Sequence, residues 1–229
     1  MSNSNPQQLV IGNTVDFYLC LSTRSSGYSN PDAVTLSGVT VTSPGLRDIF
    51  LKQLQKVFEQ ILQEHGPDAF KMPKSAAAVH ESGHIIVGHS LGYRIKNARL
   101  IDHGSDIWGG ITHLEQEPVG SKISGREPAL RHARMIYAGA VAEAFLPPEV
   151  QHAASSTDEV MMSQMLTDTF IADNEDPETC WKREVHHDVV SRLKRNHEAF
   201  RQIASTLFKK SRIGGPRLQK MLAPVQISP

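Results

Sequence analysis

The feature that most constrains this chain is the stretch AVHESGHIIVGHSLG, residues 78–92. Most of its residues are small or apolar, Ser75 can cap a helix before it, and Gly92 can end one after it. His80 and His84 stand four residues apart and therefore share one face of that helix. A chain of 229 residues with 11 histidines should match the pattern H-E-x-x-H by chance about 0.03 times. The stretch therefore predicts a largely buried helix that carries a metal site.

The H-E-x-x-H spacing is typical of a catalytic zinc site. Two imidazoles on one helical face can both reach a single Zn²⁺ ion. Glu81 is rotated by about 100° around the helix from His80, so its carboxylate points beside the metal. There it can take a proton from a water whose pKa zinc lowers to near 7. We therefore expect Zn²⁺ as the cofactor, His80 and His84 as ligands and Glu81 as the general base.

A catalytic zinc site needs a third protein ligand, and two acids are candidates. Glu143 lies on the apolar stripe of a helix predicted over 128–146, where a buried carboxylate needs a partner. Asp158 lies in the first turn of the next predicted helix, where Ser156 and Glu159 have capping-box spacing. An acid at that position also stabilises the helix dipole without binding a metal. Spacing alone does not choose between Glu143 and Asp158.

The composition limits the partners and the compartment. Lys+Arg and Asp+Glu balance at 24 each, which argues against a broad nucleic-acid surface. Cys20 and Cys180 do not form a metal-type pair and predict reduced thiols in a cytoplasmic protein. No stretch approaches the ~20 apolar residues of a membrane span, and no phosphate-binding G-x-x-x-x-G-K-[ST] loop occurs. We expect no nucleic-acid partner, no membrane and no ATP-driven motor within the chain.

The patterns along the chain predict a mainly α (α+β) fold with a small β-sheet. Residues 14–22 and 33–43 are rich in β-branched residues and predict two strands, which can form a hairpin. Residues 44–65 carry apolar residues at helical spacing before a Gly-Pro pair. Residues 1–67 are therefore interpreted as an N-terminal segment of unknown role, and residues 68–229 as the main domain. Beyond the motif helix, that domain is predicted to contain two strands and then four helices, over 94–101, 106–114, 128–146, 153–171, 180–210 and 216–223.

These motifs, taken in order, resemble the peptidase domain of FtsH-type ATP-dependent zinc metalloproteases over roughly residues 74–223. That family has H-E-A-G-H where this chain has residues 80–84, and a Gly-Gly in the strands that follow, as at 109–110. Its helix G-G-R-A-A-E-E is similar to AGAVAEAF, residues 138–145, which keeps Glu143. Its S-N-D-L segment, whose aspartate is the third zinc ligand, is similar to SSTDEV, where Asp158 stands in that place.

The resemblance implies a helical, zincin-like peptidase domain over residues 68–229 with zinc held by His80, His84 and Asp158. Glu143 then becomes a neighbouring group that orients a ligand or neutralises its charge, and it remains the alternative ligand. The implied activity is endopeptidase cleavage of peptides or unfolded protein segments. The family's peptidase domains assemble in rings, so a homo-oligomer is compatible with the resemblance.

The chain departs from the family in several places. Residues 1–66 stand where the family has its ATPase module, the family's membrane anchor has no counterpart, and the second glutamate of the family's helix is Ala144 here. We therefore expect ATP-independent cleavage of flexible chains, or of chains delivered by a separate unfoldase or adaptor. Gly109, Gly110 and Ile111 lie on a strand that can hold an extended substrate by backbone hydrogen bonds, or can simply pair within the sheet.

Two other interpretations remain open at this point. The chain can be a non-catalytic, metal-stabilised interaction module derived from such a peptidase, although a structural site has no need of the base Glu81. It can also be another H-E-x-x-H hydrolase in which Glu143 is the third ligand.

Overall fold

The structure is a computed structural model that describes most of the chain from residue 44 onward and four short strands before it. The described residues are 9–11, 14–16, 34–36, 39–41, 44–104, 106–115, 122–123, 125–147, 150, 156–172 and 174–228. They form a mainly helical fold with small antiparallel sheets, which confirms the mainly α (α+β) prediction. No helix among these residues is long and apolar enough to cross a membrane.

The helices carry most of the described chain. They are α1 Pro44–His65, α2 Lys74–Ser90, α3 Arg126–Glu143, α4 Thr157–Thr169, α5 Pro177–Trp181, α6 His187–Arg195, α7 His197–Lys210 and α8 Gly215–Leu222. A 3-10 turn, Pro67–Phe70, follows α1, and a π-helical turn, Lys182–His186, joins α5 to α6.

The helix predicted over 180–210 is divided in the structure. The π-helical turn Lys182–His186 follows α5, and a break at Asn196 separates α6 from α7. The Asn196 side-chain amide donates to the carbonyl of Arg192 at 2.9 Å, and the Asn196 backbone N–H donates to the same carbonyl at 3.2 Å. The apolar stripe in the sequence does not reveal this break, because the stripe continues on both sides of Asn196.

Among the residues that the structure describes, eight strands form two antiparallel sheets. They are β1 Leu9–Ile11, β2 Thr14–Asp16, β3 Val34–Leu36, β4 Val39–Val41, β5 Ile95–Asp102, β6 Trp108–Leu114, β7 Lys122–Ile123 and β8 Arg212–Gly214. One sheet has the order β3-β4-β1-β7 and the other the order β2-β6-β5-β8. The pairing of β5 with β6 confirms the two strands predicted over 94–101 and 106–114.

The hairpin predicted between residues 14–22 and 33–43 is wrong for the part that the structure describes. β2 pairs with β6 in one sheet, whereas β3 and β4 pair with each other in the other sheet. Residues 17–33 lie outside the described residues. The boundary at residues 67/68 stays a prediction, and two strand pairs, β1 with β7 and β2 with β6, cross it.

α2 lies at the centre of the main core, with α3, α7 and β6 packed around it. Its apolar side chains Ile85, Ile86 and Val87 are fully buried, as the sequence predicts. Gly83 permits a close crossing of α2 and α3, because a Cβ there would overlap the carbonyl oxygen of Ala138 on α3. The glycine costs about 1 kcal/mol of helix propensity relative to alanine and allows the two helix backbones to approach.

Candidate metal centre

Three donor atoms from α2 and α4 converge in the buried interior. His80 Nε2 and His84 Nε2 lie 2.9 Å apart on one face of α2. Glu159 Oε1, from the first turn of α4, lies 3.1 Å from His84 Nε2 and 3.3 Å from His80 Nε2. All three side chains have at most 1% exposure. The i, i+4 spacing predicted this arrangement of the histidines, and the packing of α4 adds the carboxylate.

The other ring nitrogen of each histidine is fixed by α3. His84 Nδ1 lies 2.9 Å from the carbonyl oxygen of Met135, which can only accept, so this nitrogen donates. His80 Nδ1 lies 2.6 Å from Glu143 Oε1, which also accepts a hydrogen bond of 2.6 Å from Ser156 Oγ. With protons on both Nδ1 atoms, the neutral rings direct the lone pairs of Nε2 toward each other and toward Glu159.

Three electron-rich atoms at these distances require a positive charge between them. Burial by itself lowers the pKa of His80, but the charge of Glu159 and the hydrogen bonds that Glu143 and Glu159 accept from the ring outweigh it, and the pKa lies well above its ordinary value. Burial raises the pKa of Glu159, but the charges of His80 and His84 outweigh it and lower this pKa to about 2. A proton on His80 or a metal ion supplies that charge, and two imidazoles with a carboxylate are a donor set that zinc prefers.

A glycine on α3 makes room for the first histidine. A Cβ at Gly139 would overlap the imidazole ring of His80. The ring is therefore held between the backbone of α3 on one side and the Glu143 carboxylate at its Nδ1. Glu143 does not belong to the group of three converging donors, and its observed contact is the one expected of a residue that orients a ligand.

Glu81 lies beside this group and is buried in contact with β6. Its Oε2 accepts a hydrogen bond of 2.5 Å from Thr112 Oγ1. A Cβ at Gly110 would overlap the Glu81 side chain, so a larger residue at that strand position would displace the carboxylate. Burial raises the pKa of Glu81, while the neighbouring charges of His84 and His80 act against that rise. The sequence patterns did not predict Thr112 as a residue of the site.

The structure differs from the prediction at the third ligand position. Asp158 is buried, but Glu159 provides the oxygen that faces the histidines, and Asp158 Oδ1 instead accepts from the backbone amide of Glu159 at 3.0 Å. Burial and the neighbouring charge of Glu159 raise the pKa of Asp158 to about 7. Successive helical residues point about 100° apart, so only one of the two acids can face α2.

The three residues predicted as a substrate strand lie on β6. β6 is an inner strand, because β5 pairs along one side and β2 pairs with Ile111–His113 along the other. Ile111 is opposite Asp16, whereas Gly109 and Gly110 lie beyond the three residues of β2. Their role in holding a substrate stays a prediction, and at Ile111 a substrate strand would have to replace β2.

Comparisons with known proteins give no family assignment. The chain matches no protein-family model, and a search of curated proteins finds no relative of significant similarity.

Proposed function

We propose that this chain is a zinc-dependent endopeptidase that hydrolyses peptides or unfolded protein segments. The observation that carries the proposal is the convergence of His80, His84 and Glu159, with Glu81 on the same helix beside them. In this proposal His80, His84 and Glu159 hold Zn²⁺, and Glu81 is the general base. The resemblance to FtsH-type peptidase domains over residues 74–223 points to the same chemistry.

The donor set supports zinc over harder cations. Mg²⁺ and Ca²⁺ prefer oxygen ligands, whereas two imidazoles and one carboxylate are a known ligand set of zinc hydrolases. When bound, zinc supplies a water that is acidic near neutral pH and a positive charge that polarises the peptide carbonyl. The hydrogen bonds from the two rings to the Met135 carbonyl and the Glu143 carboxylate fix the tautomers that metal binding requires.

The chain's own residues supply the proton transfer. Glu81 is not one of the three converging donors, so its carboxylate can accept a proton from the attacking water and return it to the leaving amine. A positioned base typically accelerates such a step by 10²–10⁴-fold. Glu143 and Ser156 have no part in that transfer and keep His80 in place.

The proposed substrates are flexible chains in the cytoplasm. The sequence contains no nucleotide-binding loop of the G-x-x-x-x-G-K-[ST] type, so we do not expect the chain to unfold proteins by using ATP. Folded substrates would then need a separate unfoldase or adaptor. Neither nucleic acid nor a membrane surface is part of the proposal.

The depth of burial favours a second candidate function, a metal-stabilised interaction module without activity. Glu81 is only 1% exposed, and the three donors are enclosed in the same core. A structural metal site is closed, whereas a catalytic site keeps one position open to water and substrate. In that case the metal would contribute to folding, and Glu81 would be a buried acid bonded to Thr112.

The experiment that separates the two functions compares the zinc-loaded wild type with Glu81→Gln. Cleavage of an unstructured protein and of a tightly folded one is measured with and without ATP. We expect the wild type to cleave the unstructured protein equally well in both conditions and Glu81→Gln to keep zinc but lose cleavage. Glu178→Gln removes an exposed carboxylate from α5 and serves as the matched control.

The outcomes decide between the candidates. A wild type that binds zinc but is no more active than Glu81→Gln across a broad peptide panel would favour the interaction module. ATP-dependent degradation by the purified chain would contradict the expectation that the chain contains no ATP-driven motor.

A further inference from the structure

Two residues on the same face of β6, Gly110 and Thr112, lie against the Glu81 side chain. Side chains two residues apart on a strand point to the same face of the sheet, as Gly110 and Thr112 do here. At Gly110 there is no room for a Cβ, because it would overlap the Glu81 side chain. At Thr112, which is fully buried, the hydroxyl donates to Glu81 Oε2 at 2.5 Å. Gly110 therefore leaves space for the Glu81 carboxylate, and Thr112 binds it.

We propose that Thr112 is the positioning residue that fixes the orientation of the Glu81 carboxylate. The inference rests on the proposed function, in which Glu81 is the general base. The Thr112 hydroxyl holds Oε2, and Oε1 is then the oxygen that accepts the proton from the attacking water. In this proposal Thr112 acts through Glu81 and contacts neither the zinc ion nor the substrate.

The chemistry of the hydroxyl supports this role. A buried strand position opposite Ala98 is filled equally well by valine, which has the shape of threonine without its hydroxyl. A buried hydroxyl without a partner costs free energy, so its presence here depends on the carboxylate. Other buried hydroxyls, such as those of Ser82 and Thr167, donate to carbonyls one turn back in their own helices. The Thr112 hydroxyl instead joins β6 to α2.

Orientation of the base is expected to affect turnover more than binding. Glu81 has three rotatable side-chain bonds, and loss of the Thr112 bond lets the carboxylate occupy orientations that do not face the water. A base that is misplaced by about 1 Å can lose roughly 10²-fold in rate. Substrate affinity and zinc affinity do not depend on that orientation.

The test compares Thr112→Val, Thr112→Ser and wild type, all zinc-loaded. We expect Thr112→Val to lower kcat by about tenfold or more with little change in KM or zinc affinity, and Thr112→Ser to recover most of the loss. Thr167→Val removes another buried hydroxyl, on α4, and should leave kcat unchanged. Crystal structures of wild type and Thr112→Val provide a readout besides activity, since the Glu81 carboxylate should turn away from β6 in the variant.

Each outcome bears on one proposal or the other. If Thr112→Val retains the wild-type kcat and the wild-type orientation of Glu81, the positioning role is overturned and the peptidase is not. If no form cleaves any substrate, the proposed function fails, and the crystal structures alone decide whether Thr112 orients Glu81. A fall in kcat that Thr112→Ser does not recover, with Glu81 unmoved, would show a packing effect and also overturn the inference.

Discussion

Glu159 and Asp158 are neighbours in sequence, yet only Glu159 faces the two histidines. Glu159 Oε1 lies 3.1 Å from His84 Nε2, whereas Asp158 Oδ1 accepts a hydrogen bond from the Glu159 amide. Both carboxylates are buried at the N-terminal turn of α4, where acids are favoured by the helix dipole. Their different directions give a matched pair of variants that tests the ligand assignment.

Glu159→Gln should weaken zinc binding much more than Asp158→Asn. The first change replaces a charged oxygen ligand by a neutral amide, and the second alters a group that is bonded to the backbone. His80→Ala and His84→Ala should abolish binding, because two remaining ligands hold zinc poorly. Zinc affinity measured by competition with a chelator checks all four variants. Full occupancy in Glu159→Gln together with loss in Asp158→Asn would restore the original assignment of Asp158.

Glu143→Gln should reduce zinc affinity by about 10–100-fold without abolishing binding. The carboxylate accepts from His80 Nδ1 and from Ser156 Oγ, and an amide at that position weakens the orientation of the ring. Ser156→Ala should have a smaller effect in the same direction. Titration calorimetry with zinc measures both. Complete loss of the metal in Glu143→Gln would instead favour the hydrolase in which Glu143 is a ligand.

Gly139→Ala should weaken zinc binding, whereas Gly110→Ala should weaken catalysis and leave zinc bound. Alanine at 139 forces the His80 ring away and should lower zinc affinity. Alanine at 110 displaces the flexible Glu81 side chain and should lower kcat while zinc stays bound. Zinc content and peptide cleavage, measured on both variants, provide the comparison. Equal loss of zinc in the two would show that they act through general unfolding.

The stability of the fold should fall in mild acid partly because of His132. Burial, and then the charge of Arg131, lower the pKa of His132 to about 4, and its Nδ1 lies within hydrogen-bond distance, 2.5 Å, of the Tyr93 hydroxyl. The unfolded chain takes up this proton near pH 6.5, before the folded one does. The contribution of His132 to the free energy of unfolding should therefore be fully present above pH 6.5. It should be lost as the pH drops toward 4, which lowers the free energy of unfolding by on the order of 3 kcal/mol.

Denaturant unfolding of wild type and His132→Gln between pH 7.5 and 4 measures this contribution. The variant should be less dependent on pH over the same range, because glutamine does not titrate. An unchanged slope in the variant would assign the acid sensitivity to other groups.

A chain that starts at residue 68 should still bind one zinc ion. All three donors lie between residues 80 and 159, but the shortened chain loses β2 from β6 and loses Phe50, which is buried in the main core. We therefore expect zinc binding at a lower melting temperature, and lower solubility. Calorimetric unfolding with and without zinc checks this. Loss of zinc binding would show that residues 1–67 and the main domain form one core.

The sequence predicted the parts of the site that depend on one helix. The spacing of His80, Glu81 and His84 defines their directions on α2 without knowledge of any partner. These features are local, so a pattern in the sequence is sufficient to predict them.

The features that were missed depend on how separate elements pack. Whether Asp158 or Glu159 faces the histidines depends on the rotation of α4 against α2, which an acid pair at a helix start does not reveal. A shift of one residue in the comparison with S-N-D-L, to Thr157–Val160, would have put Glu159 at the family's ligand position. The contact of Thr112 with Glu81 and the pairing of β2 with β6 join segments that are far apart in the chain. No local pattern in the sequence predicts them.

The donors of the candidate metal centre belong to two helices, and His84 on α2 and Glu159 on α4 are 75 positions apart in the sequence. Because the three side chains are enclosed, we expect a bound ion to reach solvent only when this enclosure opens. Its departure should wait for α4 to swing away from α2, so the residence time of the ion should be determined by the opening of the protein and not by the strength of the metal–ligand bonds. The rate of isotopic zinc exchange would then measure the rate of that opening.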